Sequence, residues 1–182
     1  MAITTVYGGI EYRSRLEARW AAFMSNIGWD TVYEPFDGDG YIPDFLVQGQ
    51  RPFLIEVKPA ATLAGYQDAV AKADSGLASH WDSDVLIVGA SPLPHIGADG
   101  SSGGDYPALG WFREGGDWWY GRWITCLRCG RFAVYHDQMS YGGRPCWCES
   151  GGDHHLGAVK TDLIESFWAD ACNDVKWRGR AA

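Results

Sequence analysis

Asp44, Glu56 and Lys58 stand close together in the sequence and are the side chains best suited to do chemistry. Two carboxylates beside an ammonium group suit a hard divalent cation and a water held for attack. Whether they meet depends on the backbone between them. Residues 41–47, Tyr-Ile-Pro-Asp-Phe-Leu-Val, read as one strand, residues 48–50 as a turn and residues 52–58 as a second strand. In the second strand Phe53, Ile55 and Val57 alternate with Leu54, Glu56 and Lys58, so Glu56 and Lys58 share a face. A hairpin brings the Asp44 carboxylate, just behind Pro43, towards that of Glu56. The plainer alternative is a solvent-facing hairpin edge that carries three common charged residues.

The elements around this hairpin are those needed to hold it. Residues 11–27 read as a helix, with Leu16, Trp20, Phe23 and Ile27 as an apolar stripe and Asn26-Ile27-Gly28 as its stop. Glu17 lies one step from the stripe and so can face a sheet; the alternative is an exposed Glu paired with Arg13 four residues before it. Arg13, Arg15 and Arg19 either hold backbone phosphates or solubilise the surface. Residues 29–35 are a third strand candidate, and 36–40 a turn in which Asp37 and Asp39 are turn formers. Residues 60–78 read as an Ala-rich helix. The unbroken apolar run 84–90, Asp-Val-Leu-Ile-Val-Gly-Ala, reads as a buried central strand. The order predicted is helix, three strands, helix, strand.

Pro43-Asp44 and Glu56-Val57-Lys58, set in that order of elements, resemble the PD-(D/E)xK nuclease superfamily. The resemblance implies an α/β fold with a restriction-endonuclease-like αβββαβ core on a mixed sheet, over residues 1–90. It implies that Asp44, Glu56 and the Val57 carbonyl hold Mg2+ or Mn2+. Glu17, in Arg15-Leu16-Glu17-Ala18, joins them, and Lys58 orients or deprotonates the attacking water. The activity implied is metal-dependent endonucleolytic cleavage of DNA, of the kind found in junction resolvases, restriction-type enzymes, transposon-end nucleases and small phage or mobile-element nucleases, many of which act as homodimers. Tyr66-Gln67 does not match the Gln-x-x-x-Tyr arrangement of one branch, so the 60–78 helix is left out of the catalytic set. Two rivals stand beside this reading. One is a binding module on a nuclease scaffold. The other is an acidic adaptor, which the net charge of -8 favours.

The second half carries a different signal. Residues 91–107 are loop by composition and separate the first part from residues 108–182. Residues 108–124 read as a hairpin whose aromatics serve the core or stack on unpaired bases, with core the better reading for most. Cys126-Leu127-Arg128-Cys129-Gly130 and Cys146-Trp147-Cys148 resemble a zinc ribbon. Two thiolate pairs can supply the four soft ligands of a structural Zn2+, with His154 or His155 as the alternative to a second-pair cysteine. Arg122, Arg128, Arg131 and Arg144 surround the pairs, with Asp137 the only acid between 122 and 148, a local balance of plus three for gripping nucleic acid. Residues 161–177 read as a closing helix capped by Thr161, with Leu163, Ile164, Phe167, Trp168, Ala171 and Val175 buried and Cys172 beside them.

Composition sets the outer limits. With 182 residues, 46% of them hydrophobic, the chain can bury a core. No apolar run approaches membrane-spanning length and no signal-peptide pattern opens the chain, so the expectation is a cytoplasmic protein without a membrane partner. The five cysteines, four of them clustered, fit a metal site in a reducing compartment.

Overall fold

A computed structural model of the chain describes residues 3–38, 41–49, 51–77, 84–94, 106–136 and 156–176. Strands β1 (Thr5–Tyr7) and β2 (Ile10–Tyr12) form a small antiparallel hairpin. Helix α1 then runs over Arg15–Asn26, not from residue 11 as the apolar stripe alone implies. The reason is local. Ser14 is extended (φ -139°, ψ 157°) and its hydroxyl accepts the Glu17 N–H, so the helix is capped here and residues 10–12 are left to pair as a strand.

The strands that follow build one sheet. They are β3 (Thr31–Tyr33), β4 (Phe45–Val47), β5 (Phe53–Val57), β6 (Asp84–Val88), β7 (Ala108–Glu114), β8 (Asp117–Cys126), β9 (Phe132–Tyr135) and β10 (Leu156–Ala158). Among the described residues the spatial order is β10-β8-β7-β6-β5-β4-β3, with β9 also paired to β8. All neighbours are antiparallel except β5 and β6, which are parallel. A parallel pair needs a crossover. Here it contains a single 3-10 turn (Leu63–Tyr66) and helix α2 (Gln67–Leu77), which replace the uninterrupted helix expected over 60–78. Helix α3 covers Thr161–Asp174. Thr161 is its first helical residue rather than its cap; Lys160 stands at the cap without a side-chain bond.

The sheet has helices on both faces. Phe53, Ile55 and Val57 of β5 join a core with Trp20, Phe23 and Met24 of α1 and Ile164, Ala171 and Val175 of α3. Leu54, on the other side of the same strand, joins Leu63, Tyr66, Ala69 and Ala73 under α2. All five residues of β5 are buried, as a strand covered on both faces requires. The β7–β8 hairpin continues this sheet, and its aromatics are mostly structural. Phe112 and Trp123 are fully buried, Trp111 donates its indole N–H to the Leu63 carbonyl (3.0 Å), and Trp119 stacks on His136 (5.6 Å, 4°). On α3, Leu163 is exposed at 45%, against the buried position its spacing predicts.

Gly89, just past β6, is held between the layers. The Trp20 indole donates to its carbonyl (2.8 Å) from the α1 side, and a Cβ built on it meets the Tyr66 hydroxyl at 1.7 Å and the Ala60 carbonyl oxygen at 2.4 Å. Neither neighbour can yield, since one is backbone and the other a fully buried ring. Gly89→Ala is therefore expected to lower stability by about 2–3 kcal/mol, read from the urea midpoint at unchanged slope. A midpoint equal to that of the wild type would refute this packing.

Candidate functional site

The described carboxylates that are buried gather at one end of β4 and β5. Asp44 is 4% exposed, Glu56 6% and Glu17 8%. Asp44 and Glu56 meet because of register: Phe45 pairs with Ile55, so one step further along Asp44 lies opposite Glu56. Pro43 has no N–H to carry the ladder on. The Val57 N–H donates to the Asp44 carboxylate at 2.7 Å. Strand β4 is consequently shorter than the 41–47 strand read from sequence, and Tyr41 pairs with Gly38 in an isolated bridge.

Each buried acid has named partners. Asp44 accepts from Val57 through Oδ2 and from the Arg13 guanidinium through Oδ1 at 2.7 Å. Glu56 holds the Lys58 ammonium in a tight ion pair and accepts the Tyr41 hydroxyl at 3.1 Å. Glu17 accepts the Tyr33 hydroxyl at 2.7 Å. Arg13 also pairs through Nε with Glu34 (2.8 Å) and, at longer range, with Glu17 (3.9 Å). Both tyrosines are held in the neutral, donating form. Burial and then Glu17 push Tyr33 up to about 12, and burial and then Glu56 push Tyr41 upward.

The four residues expected from the sequence, Glu17, Asp44, Glu56 and Lys58, are brought to one place. Arg13, Tyr33, Glu34 and Tyr41 belong there too; of these only Arg13 was named from the sequence, as a partner of Glu17 four residues on, and that pair is present at 3.9 Å. Ser14 and Glu17 are spaced as a helix cap, which puts Arg13 just before the helix. Glu34 has the left-handed φ of 44° beside Pro35, which the sequence does not announce.

Among the described residues no three Asp, Glu, His or Cys side chains converge as a metal-holding group. The donor chemistry nonetheless fits a hard cation, since two buried carboxylates face each other across the strands and a third stands close by on α1. Arg13 and Lys58 are paired with Asp44 and Glu56 as internal cations, and Glu17 accepts the Tyr33 hydroxyl.

The cysteine region is described in part. Cys126 ends β8 and is buried, and Cys129 is exposed in the turn that follows. The Gly130 N–H donates to the Cys126 carbonyl (2.7 Å) and the Cys126 N–H to the Arg131 carbonyl (2.9 Å), so the first pair sits on a tight turn leading into β9. Cys146, Cys148, His154, His155, Asp137 and Arg144 lie outside the described residues. Of the basic patch, Arg122 is turned to the Tyr106 carbonyl (3.2 Å) and Arg128 and Arg131 are exposed. No helix among the described residues is long and apolar enough to cross a membrane. Comparison with protein-family models, with curated proteins and with solved structures found no match.

The carboxyl of Asp44 is raised from the usual 3.8 to about 7, by burial first and the Glu56 carboxylate second, against the Val57 N–H. The folded protein therefore keeps a proton on Asp44 where the unfolded chain has lost it. The stability this group contributes is full below about pH 4 and is lost as pH rises to about 7. Over that window the wild type is expected to lose about 3 kcal/mol relative to Asp44→Asn, which does not titrate. Urea denaturation of both proteins across the window checks this, and parallel pH profiles would refute it.

Proposed function

We propose that this chain is a metal-dependent DNA endonuclease of the PD-(D/E)xK type. One observation carries the reading: Asp44, Glu56 and Lys58, with Glu17 from the preceding helix, are gathered in a single, largely buried cluster at the ends of adjacent strands. Burial of acids at that density costs stability, and a structural role does not require it. The order of elements supports the same reading. One helix precedes three antiparallel strands, and a helical crossover leads to a fourth strand parallel to the one that bears Glu56 and runs up to Lys58.

In phosphodiester hydrolysis a water oxygen bonds to phosphorus, the opposite P–O bond breaks, the water gives up its proton and the leaving oxygen gains one. A divalent cation held by Asp44, Glu56, Glu17 and the Val57 carbonyl would supply charge neutralisation at the phosphate and acidify the water. The chain's own groups do the positioning. The Val57 N–H fixes Asp44, the Tyr41 hydroxyl orients Glu56, and the backbone N–H of Lys58 donates to Val88 (2.8 Å), which aligns the lysine stem. The Lys58 ammonium, next to Glu56, would orient the attacking water by donating to it, and only a Lys58 that had first given up its own proton would take one from the water. DNA would approach from the side on which Arg13 and Lys58 are partly exposed, and two copies acting together would cut both strands.

The test is cleavage of a panel of linear duplex, single-strand, flap and four-way-junction DNA with Mg2+ or Mn2+. The wild type is expected to cut in a metal-dependent way, and Lys58→Ala to be slower by about 100- to 10,000-fold. Asp44→Ala is expected to be inactive. A folded wild type that cuts nothing in the panel would end this reading.

The cysteine pairs are proposed to hold one structural Zn2+ through Cys126, Cys129, Cys146 and Cys148. A closed set of four protein ligands leaves no position for a reacting water. Elemental analysis of the purified chain is expected to find one zinc per molecule, lost in Cys126→Ser. A zinc-free wild type of full stability would count against it.

A further inference from the structure

Arg13 stands apart from the other partners of the acids. Its guanidinium reaches Asp44 (2.7 Å), Glu34 (2.8 Å) and Glu17 (3.9 Å) at once. Yet its side chain is 52% exposed, whereas those of Asp44 and Glu17 are 6% and 11% exposed. The acids are fixed inside and the cation comes to them from the solvent side. Its root is also fixed: the Arg13 backbone N–H donates to the Tyr33 hydroxyl (3.0 Å), and Ser14 next to it caps α1. A long side chain on an anchored root, half exposed to solvent, can swing without moving the fold.

It also has somewhere to go. Glu34, whose side chain is 34% exposed, lies at the rim and holds the guanidinium by Nε while Nη2 reaches inward to Asp44. Its left-handed φ of 44° and its N–H bond to the Asp44 carbonyl (3.0 Å) fix the backbone there. Arg13 can thus release Asp44 and keep Glu34. The charges point the same way. With every acid ionised, Glu17, Glu34, Asp44 and Glu56 give minus four and Arg13 and Lys58 plus two, a balance of minus two, which one divalent cation cancels.

We infer that Arg13 is a displaceable internal counterion of the carboxylate site, seated on Asp44 while no divalent cation is bound and withdrawn to Glu34 when one enters. The inference rests on the metal-site reading above. Arg13 then competes with the cation and sets the concentration at which the site fills. It is a positioning residue, since it acts on the reaction only through Asp44.

The test is calorimetric titration of Mn2+ into wild type, Arg13→Gln and Asp44→Asn at one pH and ionic strength. Removing the competitor is expected to tighten Mn2+ binding about tenfold in Arg13→Gln, about 1.4 kcal/mol, with binding lost in Asp44→Asn. Equal or weaker binding by a folded Arg13→Gln would overturn the inference while leaving the metal site standing. Failure of both proteins to take up Mn2+ would overturn the metal site and the inference together. Should Arg13→Gln not fold, the wild type alone decides. During Mg2+ titration the Arg13 Nη–H resonances, which report the contact with Asp44, are expected to shift until the site is filled, and resonances that stay in place overturn the inference.

Discussion

A carboxylate stands where a main-chain acceptor would be expected. Asp44 takes the Val57 N–H at 2.7 Å just where Pro43 stops the β4–β5 ladder, and much of the site follows from that bond. It draws a charged group into the sheet and sets it opposite Glu56. It fixes the direction of Val57 and therefore of Lys58 after it. The bond also leaves one carboxylate oxygen turned outward for Arg13. A backbone donor is a rigid support, because it moves only with the strand, and β5 is buried on both faces.

The molecule tolerates this concentration of acid by layering compensation. Lys58 answers Glu56 from the same strand, Arg13 answers Asp44 from the solvent, and two tyrosines supply neutral donors from Tyr33 and Tyr41. Neither tyrosine adds charge, since burial and the neighbouring acids keep both hydroxyls protonated. Buried unpaired charge is among the most destabilising features a core can contain, so each of these contacts is needed. The overall balance of -8 is in this light partly a property of the site and not only of the surface.

What the sequence disclosed and what it hid divide along a physical line. Alternation in residues 53–58 located β5, its two faces and the shared direction of Glu56 and Lys58, because a period of two leaves little freedom once one face is apolar. Glu17 was within reach through the stripe of Leu16, Trp20 and Phe23. The boundaries were less legible. A cap at Ser14 outweighed helical periodicity at residues 11–14, and Pro43 cut β4 short where β propensity would extend it. Tyr41, Tyr33 and Glu34 were invisible as site residues, since their roles depend on tertiary placement that no local spacing encodes. Strands β9 and β10 are short and take their meaning from pairing with β8. Of the cysteine pairs, only the first falls among the described residues, on the turn between β8 and β9.

The parallel pairing of β5 and β6 has a consequence for how the molecule is made. Every residue named in the carboxylate cluster lies between Arg13 and Lys58, in the first third of the chain. But the strand that closes the second edge of β5 begins only at Asp84, and the Lys58 N–H finds its acceptor at Val88. During synthesis the chemical groups therefore emerge well before the partner that aligns them. A nascent chain that has not yet passed Val88 carries the acids and the lysine without the sheet that sets their geometry. The geometry of the cluster arrives late, as a property of the chain having gone far enough to come back beside itself.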